Sequence, residues 1–128
     1  MKNVIIVGGG FSGIMTAVNL VDTLEASSAR VTVLEAEPRL GGLAYGERNG
    51  DEHLMNTHIR TLSAFPGRPL HLSEWLNSAD RTSWPERWRG ARFGPDDFCP
   101  RKLYGLYLNG LFDSRAALAA RESNRPFK

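Results

Sequence analysis

The spacing of apolar residues changes twice in the first thirty-five positions. Val4 to Val7 is a continuous β-branched run, which predicts a short parallel strand buried on both faces. From Phe11 to about Ser27 the period lengthens: Ile14, Ala17, Val18, Val21 and Leu24 recur at three- and four-residue intervals, with Asn19, Asp22 and Glu25 between them. That spacing predicts an amphipathic helix ended by Ser27 and Ser28. Val31 to Leu34 then reads as a second strand ending at Glu35. Together they predict one right-handed βαβ unit.

After Glu35 the pattern loosens into an irregular excursion rich in Gly, Pro and Arg, running to about Pro100. Asn49-Gly50 marks a tight turn within it. Leu72, Trp75 and Leu76 behind Pro69 predict one short helix from about Leu70 to Asn77. A long helix is expected from near Pro100 to about Ala120, with Asp96 and Asp97 before its positive end and Leu103, Tyr107, Leu111, Ser114 and Leu118 on one stripe. That helix should feed a third parallel strand, yet Arg121 to Lys128 holds no β-branched run. The expected fold is therefore α/β: a Rossmann-like βαβ domain with an incomplete parallel sheet, occupying residues 1–128 as a single domain. A sheet of two strands is marginal, so low stability and apolar surface along an open sheet edge are expected, inviting a protein partner or self-association.

Candidate chemistry sits at the first strand-helix junction. Gly8-Gly9-Gly10-Phe11-Ser12-Gly13 is G-x-G-x-x-G in the strand-to-helix context that gives the string meaning. Gly8 allows the tight turn, Gly10 lets a pyrophosphate approach bare backbone, and Gly13 lets helix and strand pack closely. Phe11 and Ser12 begin the helix, whose N-H groups and dipole face the phosphates. Glu35 lies 22 residues after Gly13, where a carboxylate can accept both ribose hydroxyls and repel a 2′-phosphate. The competing reading is a glycine turn beside a solvated strand end. Arg39-Leu40-Gly41-Gly42 follows: its paired glycines permit close backbone approach and its cation can sit near a pyrophosphate. It resembles the R-x-G-G element after the acidic residue in the glutathione-reductase-type FAD fold, and so favours FAD over NAD; an ordinary surface turn is the alternative.

The resemblance extends over nearly the whole chain. VIIVGGGFSG (Val4 to Gly13), RLGGLAYG (Arg39 to Gly46), HLMN (His53 to Asn56), LSAFP (Leu62 to Pro66) and FCPRKLYGLY (Phe98 to Tyr107) are similar to the N-terminal part of a family of FAD/NAD(P)-binding proteins, themselves distantly similar to N-hydroxylating flavin monooxygenases. Thr57 to Thr61 departs from the family pattern. Longer members continue into further strands, an NAD(P)H-binding region and a substrate-facing segment. The resemblance implies an FAD-dependent, NAD(P)H-using oxidoreductase of which this chain supplies the FAD-binding part. It also implies that Leu43 to Phe65 lies near the flavin, with Asn56 and then Ser63 as polar contacts to the isoalloxazine or ribityl chain. For both, a turn residue satisfying local backbone is the alternative. At the level of the whole chain, the alternative is a non-catalytic dinucleotide-binding module working through a partner.

Composition narrows the remaining classes. The formal charge is +2, and thirteen of the sixteen basic residues are Arg; that balance alone calls for no nucleic-acid partner. Arg81, Trp84, Arg87, Trp88, Arg89 and Arg92 interleave cations with aromatics, as single-strand binders do, but no nucleic-acid motif accompanies them and a stacked covering loop is the simpler reading. The lone Cys99 cannot form the Cys-x-x-Cys pair of a dithiol reductase and is expected as a small buried hydrophobe. His53, His58 and His71 lack zinc spacing, so no metal is expected. No apolar stretch approaches the roughly 20 residues of a membrane span, and Gly8 to Gly10 interrupts the N-terminal apolar run; a cytoplasmic protein is expected.

Overall fold

The computed structural model describes residues 2–24 and 28–123. Strand β1 (Lys2–Val7), helix α1 (Phe11–Thr23) and strand β2 (Ala29–Leu34) form the βαβ unit, with β1 and β2 parallel and in register from Lys2 with Ala29 to Val7 with Leu34. Ile14, Met15, Ala17 and Val18 are buried on α1. The helix stops earlier than its spacing predicts. Asn19 and Thr23 bond back to the Met15 and Asn19 carbonyls, and Leu24 is already extended at φ −89°, ψ 142°. The predicted stop at Ser27 lies outside the described residues.

The expectation that β1 is buried on both faces is not met. Val4, Ile6, Val31 and Val33 are half-buried, whereas Ile5 is 63% exposed, Val7 83% and Leu34 52%. These three share one face of the pleat, because their paired register aligns Ile5 with Thr32 and Val7 with Leu34. The exposed apolar surface thus occupies a sheet face, not merely an edge. No β1 or β2 side chain belongs to the buried core.

The core lies instead around helix α4 (Arg101–Ser123), which packs on α1 and is tied to it by Arg115 Nε and Asp22 Oδ1 at 2.6 Å. Leu103, Tyr104, Tyr107, Leu108 and Leu111 of α4 meet Ile14, Met15 and Val18 of α1 within one cluster. On its other side α4 is wrapped by residues 35–100, which are more regular than their sequence suggests. They contain a single helical turn α2 (Gly42–Tyr45), strand β3 (Leu54–His58), helix α3 (His71–Ser78), strand β4 (Phe98–Pro100) and two 3-10 turns. Strands β3 and β4 pair antiparallel with an irregular register between Leu54↔Pro100 and His58↔Phe98. Asn49-Gly50 lies between turns closed by Asn49 N-H to Gly46 and His53 N-H to Gly50. Helix α3 follows its predicted span within a residue.

Two expectations about α4 are corrected. Asp97 accepts the Gly94 N-H at 2.6 Å and Asp96 pairs with Arg60 at 3.4 Å; β4 separates both from the helix start, so neither caps it. The predicted stripe holds through Leu111, but Ser114 and Leu118 are exposed. Among the described residues no helix is long and apolar enough to cross a membrane.

Candidate dinucleotide site

Strand β1 delivers Gly8 at φ +102°, a backbone state L side chains rarely adopt, and the Gly8 N-H makes the last rung of the sheet to the Leu34 carbonyl at 2.8 Å. Gly10 is extended and stands as the N-cap of α1 without any side-chain cap, so the first-turn N-H groups keep their donor capacity for an anion. A Cβ on Gly13 would overlap the Gly8 carbonyl oxygen. That contact is the close helix-strand packing the motif requires.

Glu35 closes this loop from the end of β2. Its Oε2 accepts the Gly9 N-H at 2.6 Å and its Oε1 accepts the Glu37 N-H at 3.0 Å. Those two backbone bonds, the one from Glu37 foremost, hold the Glu35 carboxyl below the usual carboxylate range and so keep it ionised. Each oxygen retains a further acceptor lone pair. Gly9, a variable position in the sequence motif, is constrained as tightly as its neighbours: a Cβ there would strike Leu40 and lie 2.9 Å from Glu35 Oε2. Three consecutive glycines were the available sign of it.

The turn after Arg39 docks on the same loop. Gly41 donates its N-H to the Gly9 carbonyl at 2.8 Å. Gly41 and Gly42 have φ of +135° and +62°, and a Cβ on Gly42 would come within 3.1 Å of the Gly10 Cα. Two glycine turns 32 residues apart in sequence therefore meet backbone to backbone. Arg39 itself pairs with Glu47 Oε1 at 3.2 Å, both side chains being largely exposed. A cleft of about 870 Å³ opens beside this junction, lined by Val33, Glu35, Arg39 and Leu40 and, from α4, Leu106 and Asn109.

Phe11 stays 39% exposed and stacks on Tyr104 at 6.5 Å; Ser12 is exposed at the helix start. Tyr104 also meets Tyr45 edge-on at 4.8 Å and donates its hydroxyl to the Leu62 carbonyl at 2.9 Å. It is an aromatic link that the stripe pattern did not single out. Asn56 is exposed on β3, and its amide makes no hydrogen bond among the described residues. Ser63 is committed locally: its hydroxyl donates to the Arg68 carbonyl at 2.7 Å and accepts the Phe65 N-H at 3.1 Å. No hydrogen bond or ring contact joins Asn56 or Ser63 to the glycine loop.

Matching to known families agrees with this geometry over residues 5–125, where the profile described as FAD-NAD(P)-binding fits the chain. The chain belongs to the FAD-NAD(P)-binding family. No curated protein and no solved structure matches it significantly. As a member of that family it binds a dinucleotide, and the glycine-lined junction is the place where bare backbone, an uncapped helix start and a fixed carboxylate converge.

The other candidates resolve into structural parts. Arg81 donates to the Leu76, Arg89 and Ala91 carbonyls and lies over Trp84, while Arg89 donates to the Trp84 and Thr82 carbonyls. These guanidiniums satisfy the backbone of the loop that covers the core. Cys99 is fully buried, and burial pushes its thiol up to about 12, the behaviour of a small core residue. Among the described residues no three His, Cys, Asp or Glu side chains are placed to hold a metal ion.

Proposed function

We propose that the dinucleotide is FAD and that this chain is the FAD-binding part of an NAD(P)H-dependent flavoprotein oxidoreductase, with a monooxygenase as the narrower reading. The observation that carries it is the seating of Gly41-Gly42 on Gly10. A simple nicotinamide βαβ needs one glycine loop, whereas here a second bare-backbone turn extends the wall beyond the pyrophosphate position. An added Cβ would meet nothing within 4 Å at Gly8 and only the Gly42 Cα, at 3.9 Å, at Gly10, so bare backbone at these two positions leaves room for a closely approaching cofactor.

In this reading Gly8 to Gly13 and the α1 start take the pyrophosphate, and the ionised Glu35 accepts the ribose hydroxyls and repels a 2′-phosphate. Asn56, with its amide uncommitted, is better suited to a flavin contact than Ser63. Arg39 would have to leave Glu47 to reach the phosphates. Bound flavin supplies hydride acceptance and, in monooxygenases, oxygen activation. Calorimetric titration with FAD, ADP and NAD tests the assignment. FAD should bind at least about tenfold more tightly than the other two, a difference of roughly 1.4 kcal/mol. Equal affinities would leave a generic ADP site and remove the case for FAD. FAD-stimulated NADPH oxidation is the corresponding test of oxidoreductase activity.

The bare face carrying Ile5, Val7 and Leu34 supports a second reading, a non-catalytic dinucleotide module that works once a partner or a second copy covers that face. Sedimentation that stays monomeric at all concentrations, together with full NADPH oxidation by the monomer, would exclude it.

A further inference from the structure

Helix α4 carries a second stripe, distinct from its apolar one. Arg101, Gly105 and Asn109 stand four residues apart, so they lie one above another on a single helical face. All three engage the backbone of the turn that follows Arg39. Asn109 Nδ2 donates to the Leu40 carbonyl at 2.8 Å and to its own helix at the Gly105 carbonyl, also at 2.8 Å. A Cβ on Gly105 would overlap the Tyr45 carbonyl oxygen, so the helix backbone itself touches the turn. Arg101 donates from Nη1 to the Ala44 carbonyl at 3.4 Å and from Nε to the Leu54 carbonyl at 3.1 Å.

We infer that Asn109 is a positioning residue for the dinucleotide site, holding the Leu40 carbonyl so that Gly41 and Gly42 stay seated on the glycine loop, with Gly105 and Arg101 bracing the same turn. The inference rests on the reading of that turn as a cofactor wall. The connection is short and continuous. Asn109 fixes the Leu40 carbonyl, and the next peptide N-H, of Gly41, donates to the Gly9 carbonyl at 2.8 Å. Gly9 in turn donates to Glu35 at 2.6 Å. The amide of Asn has two N-H groups, one for each carbonyl it meets; Asp would set an acceptor against two acceptors, and Leu would leave the Leu40 carbonyl unpaired.

Hydrogen exchange of the full chain tests this without requiring a bound cofactor. In Asn109→Leu the Gly41 amide should exchange roughly tenfold faster, the loss of about one net hydrogen bond, while the Leu108 amide in the α4 core and the Ile14 amide in α1 remain protected. Asn109→Gln, which keeps the donor, should recover part of the protection, and FAD affinity should fall and recover in step. Asn109→Ala serves as a smaller truncation with the same expected result. Unchanged Gly41 exchange, or a uniform rise across Leu108, Ile14 and Gly41, would overturn the positioning role and leave Asn109 as an ordinary packing residue. If the unaltered chain binds no FAD, the cofactor reading fails, yet the exchange result still decides whether Asn109 holds the turn.

Discussion

A methyl group added at Gly13 would overlap the Gly8 carbonyl oxygen, whereas one added at Gly10 would meet only the Gly42 Cα at an ordinary 3.9 Å. The two glycines should therefore fail differently. Gly10→Ala is expected to keep the thermal midpoint close to that of the unaltered chain while losing dinucleotide affinity, since only the incoming phosphates need the space. Gly13→Ala is expected to lower the midpoint as well, by the several degrees that about 1–3 kcal/mol of overpacking brings to a small domain. Differential scanning fluorimetry with and without FAD separates the two. His71 offers a second test at this scale. Its Nδ1 lies 2.7 Å from the Tyr107 hydroxyl, and burial, followed by the nearby Arg68 cation, lowers its pKa below the ordinary 6.5. The neutral ring is thus favoured by folding. Its contribution is complete above pH 6.5 and is lost as the pH falls through the lowered folded value. The urea midpoint should drop on acidification below pH 6.5, and His71→Gln should blunt that drop; an unaltered slope would contradict it. The turn at Gly8 and the close packing at Gly13 were legible in sequence because a Cβ-free backbone has few uses in that strand-to-helix context. Glu35's bonds to Gly9 and Glu37 were not, since a carboxylate at a strand end says nothing of which N-H it meets.

Helix α4 shows how an element's pattern can be right in kind and wrong in extent. Leu103 and Leu118 fall on the same predicted stripe, but Leu103 is fully buried and Leu118 is 47% exposed. Leu103→Ala should cost about 2–5 kcal/mol, whereas Leu118→Lys should stay within about 0.5 kcal/mol, as read from urea unfolding; comparable losses would mean that the far half of α4 is packed. Periodicity reports which face of a helix is apolar, not how far the neighbouring layer reaches. Strand β3 illustrates the opposite failure. Leu54 to His58 contains one β-branched residue, Thr57, and no clean alternation, so its pairing with the three residues of β4 follows from the tertiary wrap around α4 and not from local preference. The Arg101, Gly105 and Asn109 stripe was invisible for a related reason: its residues act by meeting carbonyls, and only the folded chain puts carbonyls in front of them.

Taken whole, the molecule is a βαβ unit whose sheet stands apart from the core while α4 gathers α1, β3, β4 and the covering loops into one buried cluster. The α/β class followed from the order of elements in the sequence, because a glycine loop between a β-branched run and an amphipathic helix has one usual architecture, and the same context marked where the proposed site should lie. The position of the core did not follow. A continuous β-branched run implies a strand covered on both faces, but only one face of β1 and β2 is covered by the described residues. The proposed dinucleotide site lies at the border between these two parts, with Gly8 to Gly13 and Glu35 contributed by the βαβ unit and Gly41 to Gly42 held from the α4 side. The most direct measurement of that arrangement is the visible absorption spectrum of the purified chain after incubation with FAD and gel filtration, run beside an NAD-treated sample and the Gly10→Val variant. Flavin absorbance should elute with the unaltered chain and be absent from Gly10→Val. A folded chain that elutes without flavin, or a variant that retains it equally, would contradict it.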